Sequence, residues 1–157
     1  MNGMPSRPAS SQMQSNMTGY RFKLEYDVRD YECDLEGVVN NAVYLHYLEH
    51  ARHVFLRQVG VDFAALAEQK TNLLVIRVEI DYLYPLRSRD RFYVGINMER
   101  VSRLRFGFHQ HIYRLPDEMP IAKALVIGTA VNASGRPFLP DAIERLLDNT
   151  AHVSQSG

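Results

Sequence analysis

Residues 34–59 read DLEGVVNNAVYLHYLEHARHVFLRQV, and this stretch predicts an acidic turn followed by a long amphipathic helix. Asn40 is a favourable N-cap and Gly60 a favourable terminator, so the helix is expected to cover residues 41–59. A helix of that length spans about 28 Å and should be the central element of a small domain. Its apolar residues recur at steps of three and four and share one face: Tyr44, Leu48, Ala51, Phe55 and Val59.

Segments on both sides of this helix alternate between apolar and polar residues, which is typical of strands with one wet face. One such segment, 21–29, precedes the helix, and four follow it, at 76–82, 91–99, 104–112 and 121–132. Short links between the later segments, such as Ser102-Arg103, predict antiparallel neighbours. The sequence therefore predicts an α+β fold in which a curved antiparallel sheet wraps around one long helix.

Composition bounds the class of protein. The 157 residues fit one domain, and the formal net charge of zero argues against a general nucleic-acid binder. No apolar stretch reaches the ~18 residues of a membrane-spanning helix. The single Cys33 cannot form an intrachain disulfide, which favours a reducing compartment, and a cytoplasmic protein is expected.

The chain divides into three parts by composition. Residues 1–19 are rich in Ser, Met, Asn, Gln and Pro and are expected to form a disordered tail. Residues 20–148 form the predicted domain, and residues 149–157 are expected to be a flexible C-terminus. Residues 121–131 are apolar on both faces, which predicts a strand in mid-sheet or at a contact between subunits.

The block 34–44 carries the candidate chemistry. Asp34, a glycine turn at Gly37 and the Asn-Asn helix start can set a carboxylate opposite helix N–H groups that have no internal acceptor. That pairing suits hydrolysis of an acyl group, since a carboxylate can act as base or nucleophile while an amide stabilises the oxyanion. The alternative is that Asp34 only caps the turn before Gly37.

These residues resemble the hotdog fold, and specifically the 4-hydroxybenzoyl-CoA thioesterase-like acyl-CoA thioesterases, over roughly residues 20–140. The resemblance is carried by three blocks in the family's order: DLEGVVNNAVY with EHAR at 34–52, EIDYLYP at 79–85, and SGRP at 134–137. The chain departs from the pattern in having Val38 together with the Asn-Asn pair, which mixes two subgroups of the family.

The resemblance implies hydrolysis of an acyl-CoA thioester, with Asp34 as base or nucleophile and the Asn41 amide as oxyanion donor. Asn40 would cap the helix or orient water, and Gly37, Val38 and Tyr44 would line the substrate site. No metal or redox cofactor is implied, because coenzyme A is part of the substrate. Family members are usually dimers or tetramers with the active site between subunits, so a homo-oligomer is expected.

Six arginines fall within residues 87–105, and as a group they are candidates to bind the phosphates of coenzyme A. The alternative is a solvated sheet surface with local salt bridges. Ser102 and Arg103 match positions where family members often meet the nucleotide, and Arg105 and Arg91 are further candidates.

Two other hypotheses remain open at this point. The same fold could serve as a non-catalytic acyl-CoA or acyl-carrier binding module. The helix also spells H-x-x-E-H through His46, Glu49 and His50, with His53 one turn on, which resembles a zinc-hydrolase motif. Cys33 lies beside Asp34 but is interpreted as a packing residue.

Overall fold

The chain folds into one sheet and three α-helices within the residues described. The computed structural model describes residues 19–156, with side chains through residue 149, so the expected tail at 1–19 lies outside it except for Gly19. In chain order the elements are β1 (Phe22–Asp27), a 3₁₀ turn (Asp30–Glu32), α1 (Asn41–Gln58), α2 (Phe63–Glu68), β2 (Asn72–Tyr82), β3 (Arg91–Ser102), β4 (Arg105–Leu115), β5 (Pro120–Val131), β6 (Pro137–Phe138) and α3 (Asp141–Ser156).

The sheet is antiparallel, with the strand order β1-β3-β4-β5-β2, and β6 pairs with the end of β5. The short links predicted between β3, β4 and β5 do join neighbouring strands. The expectation that β2 pairs with β3 is wrong, because β2 crosses to the far edge and pairs with β5. The connection between β2 and β3 instead crosses the sheet beside the start of α1.

Helix α1 packs across the sheet as predicted. It ends at Gln58, one residue before the predicted end, and Val59 is 37% exposed because it already lies past the last helical turn. The other four predicted core residues are buried. The ring of Phe55 lies 5.5 Å from that of Phe22 on β1 and 6.5 Å from that of Phe108 on β4. The helix thereby reaches several strands and covers the middle of the sheet.

The alternation in β3 predicts its buried face, since Phe92, Val94, Ile96 and Met98 are all buried. The apolar strand β5 lies in mid-sheet, between β4 and β2, and its residues on both faces are largely buried within this chain. The sequence allowed either a mid-sheet strand or a contact between subunits. The mid-sheet position is enough to explain why β5 is apolar on both faces.

The exposed apolar strand is β2. It occupies the edge of the sheet, and the five side chains of Leu74, Val75, Ile76, Val78 and Tyr82 are 40% to 49% exposed. The prediction that alternation in this segment marks a buried face is wrong for the isolated chain. A register shift between Val75 and Arg77 interrupts its pairing with β5.

Helices α2 and α3 were not predicted. Helix α2 has only six residues, and its signal is the capping residue Asp62, whose side chain accepts a hydrogen bond of 3.0 Å from the Ala65 amide. Helix α3 buries Ile143, Leu146 and Leu147, spaced as one helical face. No helix within the described residues is long and apolar enough to span a membrane.

Candidate active site at the start of helix α1

The loop before α1 closes on itself like a short hairpin. The Asp34 amide donates to the Val38 carbonyl at 2.8 Å, Cys33 and Val39 form a β-bridge, and the Asn40 amide donates to the Glu32 carbonyl at 3.0 Å. Gly37 forms the tip with a φ of +81°, a left-handed conformation that glycine adopts without steric cost. In this hairpin Asp34 lies opposite Val38, whereas Asn40 lies opposite Glu32. Asp34 is therefore two residues, or roughly 7 Å along the strand, from the pair that contains Asn40.

The segment after β2 holds this loop in place. The Val39 amide donates to the Leu86 carbonyl at 2.8 Å, and Val38 forms a β-bridge with Arg87. Tyr44 closes the arrangement, because its hydroxyl accepts a hydrogen bond of 3.0 Å from the Leu86 amide. Tyr44 is buried, which raises the pKa of its hydroxyl. Its position favours a structural role over the substrate contact that was expected of it.

The Asp34 side chain is exposed at the mouth of the loop. Its Oδ1 accepts a hydrogen bond of 2.9 Å from the Glu36 amide and a longer one of 3.4 Å from the Val38 amide. The turn-capping contacts that the sequence raised as an alternative are thus present. Both use the same oxygen, so a carboxylate in this position retains acceptor capacity on Oδ2.

The backbone amides in the first turn of α1 differ in whether they have a hydrogen-bond acceptor within the protein. Asn40 is the N-cap, as predicted, and its Oδ1 accepts from the Ala42 amide at 2.9 Å. Asn41 is the first helical residue, and by helix geometry its amide has no intrahelical acceptor. The helix dipole adds partial positive charge at this end. An anionic oxygen would be stabilised here. The Tyr82 hydroxyl donates to the Asn41 carbonyl at 3.1 Å and so ties this first turn to β2.

The six arginines of residues 87–105 do not form one cluster. Arg91 begins β3 and Ser102 ends it, so eleven residue steps along the strand, or about 35 Å, separate the two ends. Arg91 pairs with Glu25 at 3.2 Å at the end near Asp34. At the far end Arg100 pairs with Glu144 of α3. Ser102, Arg103 and Arg105 therefore lie far from Asp34 of the same chain.

Two of the cavities beside α1 divide the H-x-x-E-H residues between them. His46 and His50 line a polar cavity of about 600 Å³ beside β1. Glu49 and His53 line a more apolar cavity of about 460 Å³ beside β2 and α2. Among the described residues no three His, Cys, Asp or Glu side chains are placed to hold a metal ion. The arrangement does not favour the metal-hydrolase hypothesis.

A polar pair beneath α1 was missed from the sequence. Gln110 is fully buried, and its Nε2 donates to the Leu48 carbonyl at 3.0 Å while its Oε1 accepts from Arg52 at 3.0 Å. Burial lowers the pKa of the Arg52 guanidinium. The signal was available, because Gln110 interrupts an apolar alternation between Phe108 and Ile112.

Cys33 behaves as the packing residue it was predicted to be. It packs against the hydrophobic core, and burial raises the pKa of its thiol. The raised pKa disfavours the thiolate, which is the reactive form.

Comparison with known proteins agrees with this geometry. The model of the family described as the Thioesterase-like superfamily matches residues 28–148. Two Arabidopsis thaliana proteins, named acyl-acyl carrier protein thioesterases ATL3 and ATL2, chloroplastic, are 38% and 41% identical over 77% and 69% of this chain. The matches span 64% and 57% of those relatives' own length.

Solved structures agree as well. A thioesterase from Thermus thermophilus, complexed with coenzyme A and Zn, is 28% identical with a TM-score of 0.71, covering 84% of this chain and 95% of that one. The curved antiparallel sheet around one helix, predicted from the sequence, is confirmed. Since the family model covers most of the chain, and curated relatives exceed 30% identity over more than two thirds of it, the chain belongs to the thioesterase-like superfamily and has its hotdog fold.

Proposed function

We propose that the protein hydrolyses an acyl thioester of coenzyme A or of an acyl carrier protein, releasing a free acid and a thiol, at the start of α1. One observation carries the proposal. The Asn40 side chain caps Ala42 at 2.9 Å, which leaves the amide of Asn41 for a ligand beside the Asp34 loop. The names of the relatives, which include acyl-acyl carrier protein thioesterases, support the same reaction class.

In the first route Asp34 acts as a general base. Its carboxylate removes a proton from a water molecule, and the hydroxide adds to the thioester carbonyl carbon. The carbonyl oxygen becomes an oxyanion that accepts a hydrogen bond from the Asn41 amide at the positive end of the helix dipole. The intermediate then expels the thiolate, which takes up the proton held by Asp34 and restores its carboxylate.

In the second route Asp34 attacks the carbonyl carbon directly and displaces the thiolate, forming a mixed anhydride. Water then hydrolyses the anhydride and regenerates the carboxylate. Both routes use the same oxyanion donor, and both draw on the free acceptor capacity of Asp34 Oδ2. A single turnover in isotopically labelled water distinguishes the two routes. Solvent oxygen enters the Asp34 carboxyl group only in the second route, and only if water attacks the aspartyl carbon of the anhydride.

The neighbouring residues would shape the site. Gly37 and Val38 form the loop wall that faces the substrate. Asn40 sets the direction of the first helical amides, and Tyr44 fixes the loop through Leu86. Neither route needs a metal or a redox cofactor, because a carboxylate and an amide supply the required groups and coenzyme A enters with the substrate.

The proposed enzyme is a homo-oligomer, a dimer or tetramer, in which a second copy pairs with the edge of β2 and leaves the face of β2 toward α1 open. An unpaired strand edge with exposed apolar side chains is the kind of surface that natural proteins cover. A second copy would also supply Ser102, Arg103 and Arg105 to the nucleotide, because these residues lie about 35 Å along β3 from the Asp34 end of their own chain. Sedimentation showing a fully active monomer at micromolar concentration would refute this arrangement.

We place the reaction in the cytoplasm, and the single half-buried Cys33 supports a reducing compartment. Fractionation of the native source with a tagged chain tests this assignment.

Thiol release from a panel of acyl-CoA and acyl-carrier substrates tests the reaction itself. Asp34→Asn should lower kcat by at least ~100-fold, because the amide cannot serve as base or nucleophile. The substitution retains an oxygen for the Glu36 and Val38 amides, so the loop should keep its shape. Glu36→Gln is the matched control, since it neutralises an exposed carboxylate in the same loop and should leave kcat unchanged.

The non-catalytic binding module is the alternative outcome. It would bind acyl-CoA tightly, release no thiol from any member of the panel, and bind equally well after Asp34→Asn.

A further inference from the structure

Apolar side chains that this chain leaves exposed on α1 and β2 define a groove between the two elements, with Leu45 on one wall and Val78 and Tyr82 on the other. Beyond the register shift at Val75/Arg77, alternate residues of β2 face the helix side of the sheet. Ile80 packs on the hydrophobic core and the Tyr82 ring lies 5.4 Å from that of Tyr44, which identifies this face. Val78 belongs to the same face and is 40% exposed.

One stripe of α1 forms the other wall of the groove. Asn41, Leu45, Glu49 and Leu56 follow one another at helical spacing on the flank that faces β2. Leu45 is 41% exposed, although it lies one turn after the proposed oxyanion donor. The stripe connects the Asn41 amide with the cavity of about 460 Å³ that Glu49 and Leu56 line.

The cavity at the end of the groove is largely apolar. Its lining includes Leu56, Phe63, Leu66, Phe106, Phe108 and Val126, contributed by α1, α2, β4 and β5. Glu49 and His53 are exposed and therefore reach solvent at the rim, while Arg52 is bonded to Gln110 beneath the helix. A hydrocarbon chain long enough to reach the cavity can bury its end among these apolar side chains, whereas a compact aromatic acid ends in the groove before it.

We propose that the groove and the cavity bind a straight aliphatic acyl chain, so that the protein selects medium-chain and longer fatty acyl thioesters over short or aromatic ones. This inference rests on the proposed function, which sets the thioester carbonyl at Asn41.

The reach of the chain follows from the helix. Eight residues separate Asn41 from Glu49, a rise of about 12 Å along α1. An extended chain advances roughly 1.2 Å per bond, as a polypeptide backbone does, so about ten bonds reach the cavity. A butyryl or hexanoyl group ends in the groove, whereas a dodecanoyl group enters the cavity.

The test is kcat/KM across butyryl-, hexanoyl-, octanoyl-, decanoyl-, dodecanoyl-, tetradecanoyl-, hexadecanoyl- and benzoyl-CoA. Once the chain reaches the cavity, each added methylene should raise kcat/KM up to about fourfold, the value for full burial of one methylene. Benzoyl-CoA should react no better than butyryl-CoA. A flat profile from butyryl to dodecanoyl, or a preference for benzoyl, overturns the proposal.

Ala67→Phe places a ring in the cavity from an exposed position of α2. It should lower kcat/KM for dodecanoyl-CoA at least tenfold and leave butyryl-CoA unchanged. Ala64→Phe is the matched control, because Ala64 is also exposed on α2 but does not line the cavity, and it should change neither substrate. Equal losses for both substrates with Ala67→Phe would mean a general structural defect and would contradict a chain-specific role.

Binding separates this inference from the proposed function. Dodecanoyl-CoA should bind the Asp34→Asn protein at least tenfold more tightly than butyryl-CoA, and Ala67→Phe should remove the difference. Thiol release without chain selectivity would leave the proposed function standing and overturn the groove. Chain-selective binding without thiol release would overturn the proposed function and leave the acyl-binding groove standing.

Discussion

Asn40→Asp should move stability and activity in opposite directions. The carboxylate can cap the Ala42 amide as the Asn40 side chain does at 2.9 Å, since Asp and Asn are about equally good N-caps. A negative charge at a helix N-terminus stabilises by about 0.3 to 1 kcal/mol. The free energy of unfolding should therefore stay constant or rise slightly.

The same charge opposes catalysis, because the oxyanion forms at the neighbouring amide of Asn41. Two unit charges about 4 Å apart repel by about 1 kcal/mol in water and about 4 kcal/mol at the effective dielectric of a protein surface. Asn40 is exposed, so we take about 1 to 2 kcal/mol, which lowers kcat about 5- to 30-fold.

The assay is kcat from thiol release at pH 7 and low salt, together with urea unfolding of the same preparation. Asn40→Ala provides the comparison, because it removes the cap without adding charge and should cost about 1 kcal/mol of stability with a smaller change in kcat. An unchanged or higher kcat for Asn40→Asp, with stability retained, would refute the assignment of the Asn41 amide as oxyanion donor.

Three further predictions concern the rest of the molecule. Gln110→Met should lower the free energy of unfolding by about 2 kcal/mol, because it leaves the half-buried Arg52 guanidinium and the Leu48 carbonyl without their hydrogen-bond partner. Adding Arg52→Met should recover part of the loss in a double-mutant cycle. Burial and the nearby positive charge of Lys123 lower the pKa of His111, so the unfolded state takes up a proton first and stability should fall as the pH drops from about 7 through 6.5; His111→Gln should flatten this dependence in thermal unfolding scans. Arg103→Ala should raise KM for acyl-CoA with kcat unchanged, and an unaltered KM would mean that the nucleotide binds elsewhere.

The sequence predicted the elements whose burial is decided within the chain. The helical spacing of Tyr44, Leu48 and Phe55 predicts the face of α1 that covers the sheet, and the alternation from Phe92 to Met98 predicts the buried face of β3. The same argument was wrong for β2, because its apolar residues lie at an edge and in a groove that this chain does not cover.

The candidate site divides in the same way. The cap by Asn40 and the turn at Gly37 follow from local chemistry and were predicted. The prediction that Arg91 and Arg103 belong to one phosphate-binding group was not reliable. The two residues are close in sequence, but the extended strand β3 lies between them and holds them far apart. The groove could not be predicted, since it depends on the crossing of β2 to the far edge of the sheet.

The position of β2 has a consequence for synthesis on the ribosome. It pairs with β5, which begins at Pro120, so nearly 40 residues must follow Tyr82 before the first pairing residue of its neighbour is made. At ribosomal rates of about 5 to 20 residues per second, the nascent strand waits roughly 2 to 8 s without a partner. During that time the run Leu73–Val78, with Leu, Val and Ile side chains around one arginine, is an exposed aggregation-prone segment. Chaperones that bind apolar extended peptides should therefore recognise this segment of the nascent chain, and truncation before β5 should yield an insoluble product.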